Sequence, residues 1–166
     1  MTEVSDRLAL PFLAAGQAQK EVWHNEALIL LDCLVQPVVK AVAPATVPTA
    51  PVPGDCWIVG PSPSGAWAGK AQQLACWTSG GWRFVVPVAG MVCWSSADGV
   101  SVRFGASGWE IGLVTATELR IAGNKVVGAS LPGIAEPISG TTIDTESRIT
   151  IGSILAALRS HGLIYA

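Results

Sequence analysis

The sequence predicts an α+β fold that is mainly β: an N-terminal helix, a small antiparallel β-meander or barrel with Trp-containing hairpins, and a C-terminal helix. Three observations carry this expectation. Between residues 54 and 113, short β-type runs alternate with Gly, Pro, Ser and Asp-Gly punctuation, the pattern of antiparallel strands joined by tight turns. Residues 17–36 and 144–161 instead carry apolar positions at helical spacing. The chain of 166 residues is also 50% apolar and only 13% charged. That is too apolar for a disordered chain and about half the usual charged fraction of roughly 25%.

Residues 1–40 read as an arm followed by a docking or oligomerisation helix. The helix starts after Gly16, at about Gln17, and ends at Gln36, where Pro37 disfavours helical backbone at the residue before it. Two apolar stripes run along it: Trp23, Ala27, Leu30 and Leu34, and beside them His24, Leu28, Leu31 and Val35. One stripe suffices to dock a helix on its own domain. Two stripes, with Ile29, require cover from more than one side, for which a second subunit is the expected source. Residues 41–53 hold Pro44, Pro48, Pro51 and Pro53 without a single charge and read as an extended, semi-rigid linker.

Residues 54–113 form the Trp-rich antiparallel domain, with strands expected at 56–59, 74–78, 82–86, 91–95, 100–104 and 109–113. The dipeptide repeats as Cys56-Trp57, Cys76-Trp77 and Cys93-Trp94, each followed by a Gly turn bearing Trp67, Trp82 or Trp109. Neighbouring residues of a strand point to opposite faces, so each dipeptide sends a thiol to one side and an indole to the other. The spacing suggests three hairpin-like units of about 17 to 20 residues. Trp57, Trp77 and Trp94 are expected in the core, and the cysteines as reduced core thiols.

Residues 114–140 open with a hairpin, 119–121 and 125–127 about a Gly123-Asn124 turn, and continue as a Gly/Pro-rich connector. Residues 141–166 hold the last helix, capped by Asp144 or Thr142 and stopped by Gly162. Its apolar stripe, Ile151, Ile154, Leu155 and Leu158, must pack on something.

Several function classes are disfavoured. The net charge of −2 and the lack of a basic block argue against nucleic acid or anionic lipid as partner. The apolar run 8–15 follows Glu3 and Asp6 rather than positive charge, unlike a secretory signal, and Asp32 breaks the longest run well short of the ~18 residues that span a bilayer. Neither membrane insertion nor a secretory route of its own is expected. No Cys-x-x-Cys pair exists and both His lie far from the cysteines, so neither metal nor cofactor is expected. Only Asp55, Asp98 and Glu110 could supply a glycosidase carboxyl pair in the aromatic segment. Two of them sit in Gly-containing turns where Asp has a structural task. With no serine elbow or phosphate loop, an enzyme is not expected.

The strings LALPFLAAGQAQKEVWHNEALILLD and GDCWIVGPSPSGAWAGKAQQLACWTSGGWRFVVPVAG resemble a phage-associated family, formerly of unknown function. The family occurs in tail and fibre proteins of phages of alphaproteobacteria and in head-spike proteins of gene transfer agents. The resemblance runs from about Leu8 to Leu113, and TTIDTESRITIGSILAALRSHGLIYA resembles the helix that follows in short members. It implies a structural protein of a phage or gene transfer agent particle, assembled in the host bacterial cytoplasm as the base or adaptor of a spike or tail fibre. It further implies a homotrimer, contacts with other virion proteins of spike, fibre or capsid, and contact with host capsular polysaccharide. No catalytic residues carry over.

Two residue groups are the candidate sites. Trp67, Trp82 and Trp109 either stack on sugar rings, whose apolar C–H faces suit an exposed indole, or pack in a core or subunit interface. If they made a stand-alone carbohydrate-binding module, at least two would be exposed on one face. Gln17, Gln19, Lys20 and His24, with the stripe residues Trp23, Leu28, Leu31, Val35, Ile151, Ile154, Leu155 and Leu158, are the candidate oligomer or partner surface. The alternative for the polar clusters, including Asn25 and Glu26, is to cap the helix and hold the arm in its path. His24 is expected as a packing residue rather than a base or ligand.

Overall fold

The alternation of thiol and indole decides the first strands. The structure, a computed structural model, describes residues 3–14, 16, 20–138, 140–141 and 144–165, in two units, Met1–Leu113 and Val114–Ala166. In the first, helix α1 (Lys20–Leu34) precedes β1 (Val38–Val39), β2 (Cys56–Ile58), β3 (Leu74–Thr78), β4 (Gly81–Val85), β5 (Val92–Ser95), β6 (Val100–Phe104) and β7 (Trp109–Ile111). β2, β3 and β4 make one antiparallel meander and β5, β6 and β7 another, with β1 beside β5 in parallel.

The expected mainly β fold with a helix at each end is what the chain adopts, but the sheets do not close into a barrel. β4 and β7 end their sheets, and among the described residues strand pairing stitches the two sheets on one side. There the segment after α1 pairs in parallel with β5 through Val38 and Val39, then with β2 through a bridge from Val42 to Ile58. The three expected hairpin units are two three-stranded meanders. Cys56 and Cys76 are direct cross-strand partners within one of them, so their spacing reflects one hairpin rather than a repeat of separate ones.

Cys56, Ile58, Leu74 and Cys76 leave one face of the first meander. They meet Val39, Cys93 and Val102 from the other sheet and Cys33 from α1 in one core. The opposite face carries Trp57, Ala75 and Val59 with Trp67, flanked by Trp77, Trp82, Phe84, Ala41 and Val47. The middle of this meander is therefore covered on both sides, which is why β2 is buried at every residue. Trp94 departs from its expected place in the core. It obeys the alternation, since Cys93 points inward, but Val92 and Trp94 on the far face of β5 are exposed, the indole at 48%.

The second unit holds the hairpin β8 (Leu119–Ile121) and β9 (Asn124–Val127) and helix α2 (Thr145–Ser160). The hairpin turn lies one residue earlier than expected: Ala122 (φ 48°) and Gly123 (φ 82°) both adopt positive φ, as a type I′ turn requires. A Cβ is costly in that region, so Ala122→Gly is expected to stabilise the hairpin by about 1 kcal/mol, readable as a higher melting midpoint. Asp144 caps α2, accepting from the Ser147 N–H at 2.9 Å and the Ser147 hydroxyl at 2.8 Å. The backbone bond above all holds its carboxyl below the usual range. Thr142, the other cap candidate, lies outside the described residues. Gly162 ends the helix at φ 67°.

Candidate ligand and partner surfaces

An aromatic cluster grows from β3 and β4. Trp77 lies opposite Trp82 across the two strands, their ring centroids 5.0 Å apart and their planes edge-on at 65°. Phe84, two residues after Trp82 and so on the same face, stacks on it at 6.3 Å. Lys70 Nζ sits 5.3 Å from the Phe84 centroid, a cation–π distance. Trp67, at the end of the short 3-10 turn Gly65–Trp67, fills the middle of the cluster, 5.3 Å from Trp82 and 6.3 Å from Trp57.

The three candidate indoles thus divide. Trp67 and Trp82 meet, but Trp67 is only 2% exposed, because the cluster and the Pro-rich segment cover it. Trp109 belongs to the other core. Its Nε1–H donates to Gln72 O at 2.8 Å, and its ring packs edge-on against Phe104 at 5.2 Å, tying the second meander to the turn before β3. The partly open aromatic surface is Trp77, Trp82 and Phe84. Trp77 and Phe84 were not singled out as ligand candidates, although the i, i+2 spacing of Trp82 and Phe84 puts both on one face of a strand. The three acidic candidates for catalysis each have a local partner. Asp55 pairs with Lys40 at 3.0 Å, Asp98 accepts from the Ser95 hydroxyl at 2.5 Å, and Glu110 accepts from Arg103 at 2.8 Å.

Polar hooks hold α1 and the arm. The Asp32 carboxylate, buried in the apolar run, accepts from the backbone N–H groups of Arg7 at 2.9 Å and Leu8 at 2.7 Å. The Arg7 guanidinium reaches back to the carbonyls that end the helix, Asp32 O, Val35 O at 3.3 Å and Gln36 O at 2.9 Å. A cation there also meets the negative end of the helix dipole. The Asn25 side chain donates to Leu13 O at 3.0 Å and accepts from Leu13 N–H at 2.9 Å. Asp6 accepts from the Ser79 N–H at 2.9 Å and from its hydroxyl. Glu26 receives a forked pair from Arg83 on β4, at 2.6 and 3.0 Å. Asn25 and Glu26 therefore fix the arm and the helix.

With Asn25, Glu26, Asp32 and Cys33 turned to the chain, the apolar stripes face elsewhere. Trp23 is 81% exposed, and Ala27, Leu34, His24, Leu31 and Val35 are also exposed, with Leu28 and Leu30 half-buried. Lys20 is exposed at the start of α1; Gln17 and Gln19 lie outside the described residues. On α2, Leu155 is buried and Leu158 half-buried, while Ile151 and Ile154 are exposed. Every residue of β8 and β9 is exposed.

A family model described as "Protein of unknown function (DUF2793)" matches residues 24–110, from the second residue of the exposed stripes of α1 to the middle of β7. No curated protein matches the chain.

Proposed function

The chain belongs to the DUF2793 family, and we propose that it is a structural component of a phage or gene transfer agent particle. In this reading it forms the homotrimeric base or adaptor of a spike or tail fibre, assembled in the host cytoplasm and joined to other virion proteins. One observation carries the assembly: Trp23, Leu31, Leu34 and Val35 of α1 are all exposed, Trp23 at 81%. The exposed stripes of α1 supply apolar area suited to an interface, and burial returns roughly 25 cal/mol per Å² before ordering costs.

Light scattering is expected to give three times the 17.2 kDa chain mass at micromolar concentration; a monomer would overturn the reading. Trp23 and Leu34 point away from the chain's own core, so Trp23→Asp with Leu34→Asp is expected to yield a monomer with unchanged circular dichroism. Mass spectrometry of purified particles would identify the chain and count its copies.

The half-open face of Trp77, Trp82 and Phe84 beside Lys70 supports contact with host capsular polysaccharide. The stacked rings of Trp82 and Phe84 offer sugar rings an apolar platform. Titration with that polysaccharide is expected to quench Trp fluorescence in the native protein, with Trp82→Ala losing most of the response and Trp109→Ala retaining it. A response undiminished in Trp82→Ala would remove the sugar-contact reading.

A further inference from the structure

Cys56 and Cys76 face each other directly across β2 and β3. Ladder hydrogen bonds fall on alternate pairs that skip this one: Trp77 N–H donates to Asp55 O at 2.8 Å, and Val59 N–H to Gln73 O at 2.9 Å. The cysteines are therefore a non-hydrogen-bonded pair, the kind whose α-carbons lie closest, at about 4.5 Å. That lies within the span of roughly 4.4–6.8 Å that a disulfide bridges. Both side chains leave the same face, and the sulfurs stand 3.0 Å apart. Closing them to a bond takes a shift of about 1 Å.

We propose that Cys56 and Cys76 are the site of an intramolecular disulfide, formed when the protein passes from a reducing compartment to a medium containing hydrogen peroxide. One thiol, deprotonated, attacks the peroxide and becomes a sulfenic acid as water leaves. The other thiol then displaces the second water, so the two sulfurs lose two electrons and two protons and one peroxide is reduced to two waters. The inference is independent of any role in a particle.

The surroundings favour this pair. Cys33 shares the same core and contacts Cys76, but it sits on a helix and lacks the cross-strand geometry. Cys93 comes from the other sheet, and burial pushes its thiol up to about 12. Contacts with Cys33 and Cys56, together with burial, also raise the Cys76 thiol. The reaction is therefore slow.

Tryptic cleavage separates all four cysteines, with Cys33 in 21–40, Cys56 in 41–70, Cys76 in 71–83 and Cys93 in 84–103. The native full chain, treated with peroxide, then unfolded, alkylated and digested, is expected to give peptides 41–70 and 71–83 joined, with Cys33 and Cys93 alkylated. The melting midpoint is expected to rise by about 5–10 °C and to return on reduction. Cys33→Ala should still form the link. Four alkylated cysteines, a bond from Cys33 to Cys76, or a link formed only after unfolding would each overturn the proposal.

Discussion

Trp67→Ala is expected to lower the stability of the first unit by about 4 kcal/mol and its melting midpoint by roughly 15 °C or more. The indole is 2% exposed and touches both Trp57 and Trp82, so its removal opens a cavity in the middle of a packed cluster. The same side chain carries an internal cost, since its buried Nε1–H has no partner among the described residues. Trp67→Phe keeps a ring and removes that unpaired donor, so it is expected to cost less than half as much. Urea titrations of both variants, with m-values unchanged, would test this. A loss below about 1 kcal/mol for the alanine variant would mean that the cluster collapses freely around the gap.

Asp32→Ala is expected to cost about 3 kcal/mol and to release the arm. The carboxylate satisfies two backbone N–H groups at once, those of Arg7 and Leu8. Asp32→Asn keeps one acceptor and should fall between the two. Arg7 is itself a trypsin site, so release of the arm is readable as faster cleavage after Arg7 in the native state. Equal cleavage rates in Asp32→Ala and the parent would show that the arm is held by something else.

The sequence was most legible where local pattern and burial coincide. β3 and β6 have the expected bounds, because their alternation ends at turn residues on both sides. α2 begins and ends at its cap and its glycine. That thiol and indole of Cys56-Trp57 and Cys76-Trp77 leave opposite faces followed from strand geometry alone. What periodicity cannot supply is the identity of the covering layer. Trp94 lies on the right side yet stays half exposed, and Trp67 follows a glycine turn yet lies beneath the Pro-rich segment. β1 is two residues long and exists through pairing with a strand more than fifty residues away, for which no local signal exists. Asp32 was visible as an interruption of an apolar run. Its use, fastening the arm, depends on backbone groups that carry no side-chain signature.

The stitch between the two meanders has a mechanical side. Along residues 37–43, backbone bonds run to β5 through Trp94 N–H to Pro37 O and Ser96 N–H to Val39 O, then to β2 through Lys40 N–H to Cys56 O and Ala43 N–H to Ile58 O. These bonds lie across the direction of the segment. A tug along it loads them in shear, all together, whereas unzipping would break them one by one. Tension entering through α1 would thus be shared between both sheets before either gives way.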